Sequence, residues 1–240
     1  MAQNIYQKPT FINSVAHKFV KVAPVGDYKF ALGLNSTLVV GPEFLEAAKY
    51  YPLVFTKDAE GGIVPVAVLG LRSEENLFVK EDGKWQEGAY IPAYFRRYPF
   101  ILSANPAQGG AFAVCVDSGY AGFGSENGMP LFDEEGNQTE AFKKTVEFLR
   151  QFQMQYENTK RLIGILEEYK LFKEVSANMT LPAGEKIGLG GLMTVDEEAL
   201  LKLEDDKILT LFRGGYFAWI YAHLYSLSNF RALMAIANKK

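Results

Sequence analysis

Cysteine and histidine are almost absent from this 240-residue sequence, which has one Cys, at position 115, and two His, at 17 and 223. A single cysteine cannot close an intrachain disulfide, so the fold is expected to stand without oxidation, and a reducing cytoplasm is the expected setting. The two histidines lie about two hundred positions apart, and neither has an Asp, Glu or Cys at a ligand spacing, so no zinc or non-haem iron motif is present and no metal is expected. Any apolar run of bilayer length is also missing. The longest, residues 216–224, covers about nine positions and includes His223, against roughly twenty for a span, so it reads as a buried helix. Residues 1–21 lack the basic start and continuous apolar core of a secretory leader, and classical export is not expected.

An excess of one charge is lacking too. Lysine and arginine together number 25 against 28 aspartates and glutamates, for a net charge of −3. The signs are interspersed, which leaves no basic stripe to track phosphates, and nucleic acid is not an expected partner. Gly122, Gly124 and Gly128 lack the dinucleotide-binding spacing, no Gly-rich loop ends in Gly-Lys-Ser or Gly-Lys-Thr, and no Gly-x-Ser-x-Gly elbow occurs. No cofactor is expected. Cys115 lies inside the apolar run 111–116 and reads as a buried thiol rather than a nucleophile.

What is present is core material: 48% of residues are hydrophobic and 22% charged, the balance of a folded globular chain. The character changes near Asn137. Before it, short apolar runs broken by Pro and Gly predict strands at 37–40, 53–56, 63–69, 76–79 and 111–116, with a short helix at 42–50 whose Pro42 suits the first turn. The run 63–69 is apolar enough for a strand covered on both faces, while Pro65 argues for an edge or a bulge. After Asn137, Phe142, Val146, Leu149, Phe152 and Tyr156 recur at helical spacing behind a cap at Asn137 or Thr139. Thr159 offers a second cap before Leu162, Leu166 and Tyr169, so the stretch to about 172 is two helices or one long bent one. Residues 179–187 predict a small hairpin around Ala183-Gly184, residues 194–197 a helix start, and 216–237 a last helical region. The expected fold is α+β, with a β-rich part with short helices at 1–136 and a mainly helical part at 137–240 packed on it, as one domain or two.

One segment combines aromatic and guanidinium groups: Trp85, then Tyr90, Tyr94, Arg96 and Arg97 among further tyrosines and phenylalanines. Arginine offers a fixed donor fork and aromatic rings offer stacking faces, a chemistry that suits carboxylates, phosphates or sugars. Arg72, after the apolar run at 63–71, is a third arginine for the same pocket. Two readings stand open. The arginines bind a ligand, or they tie down carbonyls and carboxylates while the tyrosines pack. On a short helix Arg96 and Arg97 would project about 100° apart, which makes a joint clamp difficult.

The ordered series Tyr51-Pro52-Leu53-Val54-Phe55, Pro65-Val66-Ala67-Val68-Leu69-Gly70-Leu71-Arg72, Tyr90-Ile91-Pro92-Ala93-Tyr94-Phe95-Arg96-Arg97-Tyr98-Pro99-Phe100 and Cys115-Val116-Asp117 resembles the bacterial SapC family. The likeness continues through Leu181-Pro182-x-Gly184-Glu185-Lys186, Val195-Asp196-Glu197 and His223-Leu224-x-Ser226-Leu227-x-Asn229, across nearly the whole chain. The family takes its name from a locus for a paracrystalline bacterial surface layer and carries no established reaction, so the resemblance implies a context and transfers no catalytic residue. A peptide-transport permease that shares the name is unrelated and would need membrane spans that this sequence lacks.

Two functions from different classes follow. The first is a non-catalytic binding or assembly protein serving surface-layer or cell-envelope components, with an envelope protein, a peptide or a small molecule as partner. The second is an enzyme acting on an amino-acid-like or peptide substrate, its carboxylate held by Arg72, Arg96 or Arg97 and its proton moved by Asp117 or His223.

Overall fold

The computed structural model describes residues 5–106, 109–180 and 184–238. In chain order the first elements are β1 (Pro9–Phe11), β2 (Lys21–Val22), β3 (Ser36–Leu38), α1 (Phe44–Ala47), β4 (Leu53–Lys57), β5 (Ile63–Val68), α2 (Ala93–Arg96), β6 (Phe100–Asn105) and β7 (Ala111–Asp117). They are followed by β8 (Met129–Pro130), α3 (Glu140–Glu168), β9 (Phe172–Thr180), β10 (Lys186–Val195), α4 (Glu197–Leu200), α5 (Asp205–Arg213), α6 (Tyr216–Ser226) and α7 (Asn229–Ala237). The mixed architecture expected from the sequence is the one observed, with antiparallel sheets, a long helix and C-terminal helices after a strand-rich part. Two compact units form from interleaved segments, a larger one from residues 29–92 and 155–238 and a smaller one from residues 5–28 and 93–154.

The larger unit is built on a five-stranded antiparallel sheet in the order β3-β5-β4-β10-β9. β5 lies inside it and its residues from Val64 onward are buried, so the apolar run does mark a strand covered on both faces. Pro65 is accommodated because its carbonyl accepts from Val39 N–H at 3.2 Å, just beyond the end of β3. A residue's N and O point to the same side of a strand, so the donor that proline lacks would have faced Val39, where pairing with β3 has already ended at Leu38.

Two expectations for this unit are corrected. Residues 76–79 are a turn rather than a strand, because Asn76 turns the chain locally: its side-chain oxygen accepts from Phe78 N–H and its amide donates to the Ala31 carbonyl. The hairpin predicted at 179–187 is much longer, its strands paired from Thr180↔Lys186 to Phe172↔Val195 with a bulge between Leu189 and Leu192. Its turn positions 181–183 lie outside the described residues. The outer strand is mostly solvated and carries Lys173, Glu174, Ser176 and Asn178, so no clean apolar alternation announces it.

In the smaller unit, β1-β7-β6 form a three-stranded antiparallel sheet beside the short pair β2-β8. Its core joins Val22, Phe100, Val116 and Leu131 to Phe142, Val146 and Leu149, the apolar stripe of α3. Thr139 caps α3, its hydroxyl accepting from Phe142 N–H at 3.2 Å. Thr159 does not cap a second helix. α3 runs unbroken for 29 residues, and the Thr159 hydroxyl donates to the Gln155 carbonyl one turn back and accepts from Gly41 N–H. Gly41 must stay a glycine, since a Cβ there would meet the Trp219 ring of α6 at 2.2 Å.

Candidate functional site

The arginine and tyrosine segment begins in the single turn α2, which buries Ala93 and Phe95 and leaves Arg96 exposed. Its last bond, Arg97 N–H to the Ala93 carbonyl, turns the next side chain inward. Arg97 is half-buried and caged by aromatic rings, its guanidinium carbon 4.4 Å from the Tyr94 ring centre, 4.6 Å from that of Phe152 and 5.8 Å from that of Tyr6. The Tyr6 hydroxyl accepts a hydrogen bond from Arg97 and donates one to the Phe100 carbonyl. Burial pushes the Tyr6 phenol up despite the neighbouring charge of Arg97, so it stays protonated. No carboxylate of the described residues pairs with Arg97, and its Nε is buried without an acceptor.

Arg97 and Arg96 both line one cleft of about 650 Å³ within the smaller unit, together with Lys144, Tyr28, Phe148 and Met129. The guanidinium of Arg96 lies 5.4 Å from the centre of the Phe148 ring. Burial raises the Tyr28 phenol and the charge of Arg96 opposes that rise, so the phenol stays protonated. The cleft is thus lined by basic side chains, aromatic rings and an apolar wall. The two arginines reach it despite their angular separation because Arg96 approaches from the exposed side of α2 and Arg97 from beyond its end. Lys144 and Phe148 complete it from one face of α3, four residues apart. Sequence reasoning missed both, although their spacing on a predicted helix was the available signal.

The other candidates from the same stretch sit in the larger unit and have structural work there. Arg72 holds Glu75 at 2.7 Å and Glu185 at 2.6 Å, the second through a two-pronged contact. Trp85 donates its indole N–H to the Tyr51 hydroxyl, which in turn donates to the Tyr90 carbonyl. The Tyr90 hydroxyl donates to Glu43, whose other oxygen accepts from Val40 N–H.

Asp117 and His223, the acid–base candidates, are both fully buried. Asp117 closes the start of the smaller unit's sheet, accepting from Gln7, Lys8 and Gly119 N–H and from the Tyr98 hydroxyl. Burial alone would raise its pKa, but these donors outweigh that and hold the carboxyl below its usual range. Burial and then the Asp117 charge push the Tyr98 phenol up to about 12.

His223 lies at the junction of β4 and β10, which pair at Phe55↔Met193. Two residues on, Leu53 and Val195 would bond to each other, and the imidazole stands between them. Nε2 accepts from Val195 N–H at 3.1 Å and Nδ1 donates to the Leu53 carbonyl at 2.8 Å. A carbonyl only accepts and an amide N–H only donates, so the ring is neutral with its proton on Nδ1. Burial lowers its pKa to about 4, against a small opposing effect of the Leu53 bond. Ser226 completes the junction by accepting from Leu53 N–H and donating to the His223 carbonyl. Cys115 is likewise buried, and burial raises its thiol.

A second depression, of about 570 Å³, lies over the β9–β10 bulge, where Lys57 and Glu174 are its charged groups. Among the described residues, no cluster of His, Cys, Asp and Glu is arranged to hold a metal, and no helix is long and apolar enough to cross a membrane. No curated protein and no solved structure matches this chain. The SapC family model matches residues 12–233, a span that takes in both the caged Arg97 and the His223 junction. The chain belongs to the SapC family.

Proposed function

We propose that the protein is a non-catalytic binding protein whose smaller unit holds an anionic, partly apolar ligand, a carboxylate-bearing small molecule or peptide, in the Arg97 cleft. The observation that carries this reading is a half-buried guanidinium with no carboxylate partner among the described residues, lining a cleft that also presents Arg96 and Lys144. A charge taken partly out of water is costly unless it is paired, and a ligand carboxylate would supply the missing acceptor while the rings of Tyr28 and Phe148 cover its apolar portion. Acid–base catalysis by Asp117 or His223 gains no support, because both groups are sealed in bonds to the backbone and proton transfer needs a substrate within hydrogen-bond reach. The family name adds a bacterial surface-layer or envelope context, and the buried thiol of the lone cysteine agrees with a cytoplasmic setting.

The test is native mass spectrometry of protein purified from its own host, wild type beside an Arg97→Met, Lys144→Met variant with an unchanged thermal melt. A bound species carried by the wild type and lost from the variant is expected, followed by a rise in Tm when that species or a matched carboxylate is added back. Identical profiles, with no Tm response across a panel of aliphatic and aromatic carboxylates, would return Arg97 to a purely structural role.

A further inference from the structure

The most apolar helix of the chain is buried on only one side. α6 packs Tyr216, Ile220, Ala222, His223 and Ser226 inward, yet Tyr221 is 43% exposed and Tyr225 73% exposed. With half-buried Phe217 they stand at i, i+4 and i+8, one stripe along one face. The Phe217 and Tyr221 rings stack at 6.3 Å, so the stripe is ordered within itself. Across the Gly214-Gly215 link, α5 ends with Phe212, 69% exposed, and exposed Arg213. At the other end of α6, Arg231 of α7 is exposed.

Along the chain, the charges of this C-terminal stretch are of one sign. From Lys207 to the end the sequence carries Lys207, Arg213, Arg231, Lys239 and Lys240 and no aspartate or glutamate, in a chain whose net charge is −3. The acids of α5, Asp205 and Asp206, lie at its opposite end from Phe212. Hydroxyl-tipped rings flanked by arginines match the interface of a bilayer, where an aromatic ring sits at headgroup level and a cation meets lipid phosphate. A stable protein interface takes about 20 to 30 residues a side, far more than this narrow stripe supplies, whereas shallow insertion with a few cations suffices for reversible membrane association.

We infer that the α6 stripe of Phe217, Tyr221 and Tyr225, with Arg213 and Arg231 at its ends, docks on an anionic lipid surface. The contact is peripheral, one face of a helix lying in the headgroup plane, and it is independent of the cleft in the smaller unit.

The full chain is sedimented with vesicles of phosphatidylcholine alone and of phosphatidylcholine with about 30% phosphatidylglycerol, at about 0.05 M and about 0.5 M salt. Binding is expected to the anionic vesicles only and to fall at high salt. It should weaken roughly tenfold in Tyr221→Ser, Tyr225→Ser and again in Arg213→Gln, Arg231→Gln, both pairs being exposed and their folding checked by thermal melt. No binding to anionic vesicles, equal binding to neutral ones, or unchanged binding by both variants overturns the inference. So does a self-association or a protein complex that the tyrosine pair abolishes while vesicles are ignored.

Discussion

In the larger unit the His223 imidazole has both nitrogens occupied by Val195 N–H and the Leu53 carbonyl, with Ser226 filling the remaining bond of Leu53. In the smaller unit the Arg97 guanidinium has three aromatic rings and one tyrosine hydroxyl around it, no carboxylate among the described residues, and a buried Nε without an acceptor. Both are polar groups withdrawn from water, and completeness separates them. A fully partnered group inside a sheet junction is part of the scaffold, because any change leaves a backbone donor or acceptor stranded. An incompletely partnered cation at a cleft keeps a place open for a molecule from outside.

Five measurements would break or sharpen this contrast. The largest effect is expected from His223→Ala, which strands Val195 N–H and the Leu53 carbonyl and leaves a cavity, at a cost of about 4 kcal/mol in denaturant unfolding. A loss below about 1 kcal/mol would remove His223 from the scaffold.

The pH dependence comes next. The folded pKa of His223, about 4, lies below the unfolded value of roughly 6.5, so the unfolded chain binds the extra proton first. The contribution is fully present above about pH 6.5 and is lost as pH falls toward 4, amounting to roughly 3 kcal/mol. The difference in unfolding free energy between wild type and a His223→Gln variant should narrow across that window. Asp117, lowered in the same sense, acts below it, its contribution declining only as pH falls under the ordinary carboxylate range.

Asp117→Asn keeps the shape but replaces one acceptor oxygen with a donor among three N–H groups, at an expected cost of about 2 kcal/mol. Arg97→Met should change the stability of the ligand-free protein by about 1 kcal/mol or less, since losing the ring contacts is offset by no longer burying an unpaired charge. A loss above about 3 kcal/mol would show that Arg97 is scaffold after all. Arg72→Met, at a solvent-exposed ion pair, should leave the denaturation midpoint unmoved and any cleft ligand bound.

Local physics explains what was legible beforehand. The apolar stripe of α3 is written at helical spacing behind a cap at Asn137 or Thr139, and the apolar run of β5 pointed to a strand covered on both faces while its Pro65 argued for an edge or a bulge. The β9–β10 hairpin is longer than its apolar pattern indicates, because the outer strand β9 is held by its pairing with β10 rather than by apolar burial. The arginine and tyrosine segment is chemically unusual as a sequence, but its residues serve different ends. Trp85 and Tyr90 are bonded within the larger unit's core, Arg72 is spent on Glu75 and Glu185, Arg96 and Arg97 line the cleft, and Tyr94 packs on the Arg97 guanidinium. α6 read as a buried helix because composition records how apolar a helix is and not how many of its faces find a neighbour.

The sequence by itself determined the class of fold, the long capped helix, the absence of a disulfide and the family, since each rests on periodicity, capping chemistry, residue counts or an ordered series of motifs. Only the tertiary structure decided that residues 5–28 join 93–154 while 29–92 join 155–238, that an imidazole completes the β4–β10 ladder, and that Arg97 meets no carboxylate among the described residues. Those outcomes depend on which distant groups meet in space, and hydrogen-bond completeness is a property of the meeting and of neither partner alone.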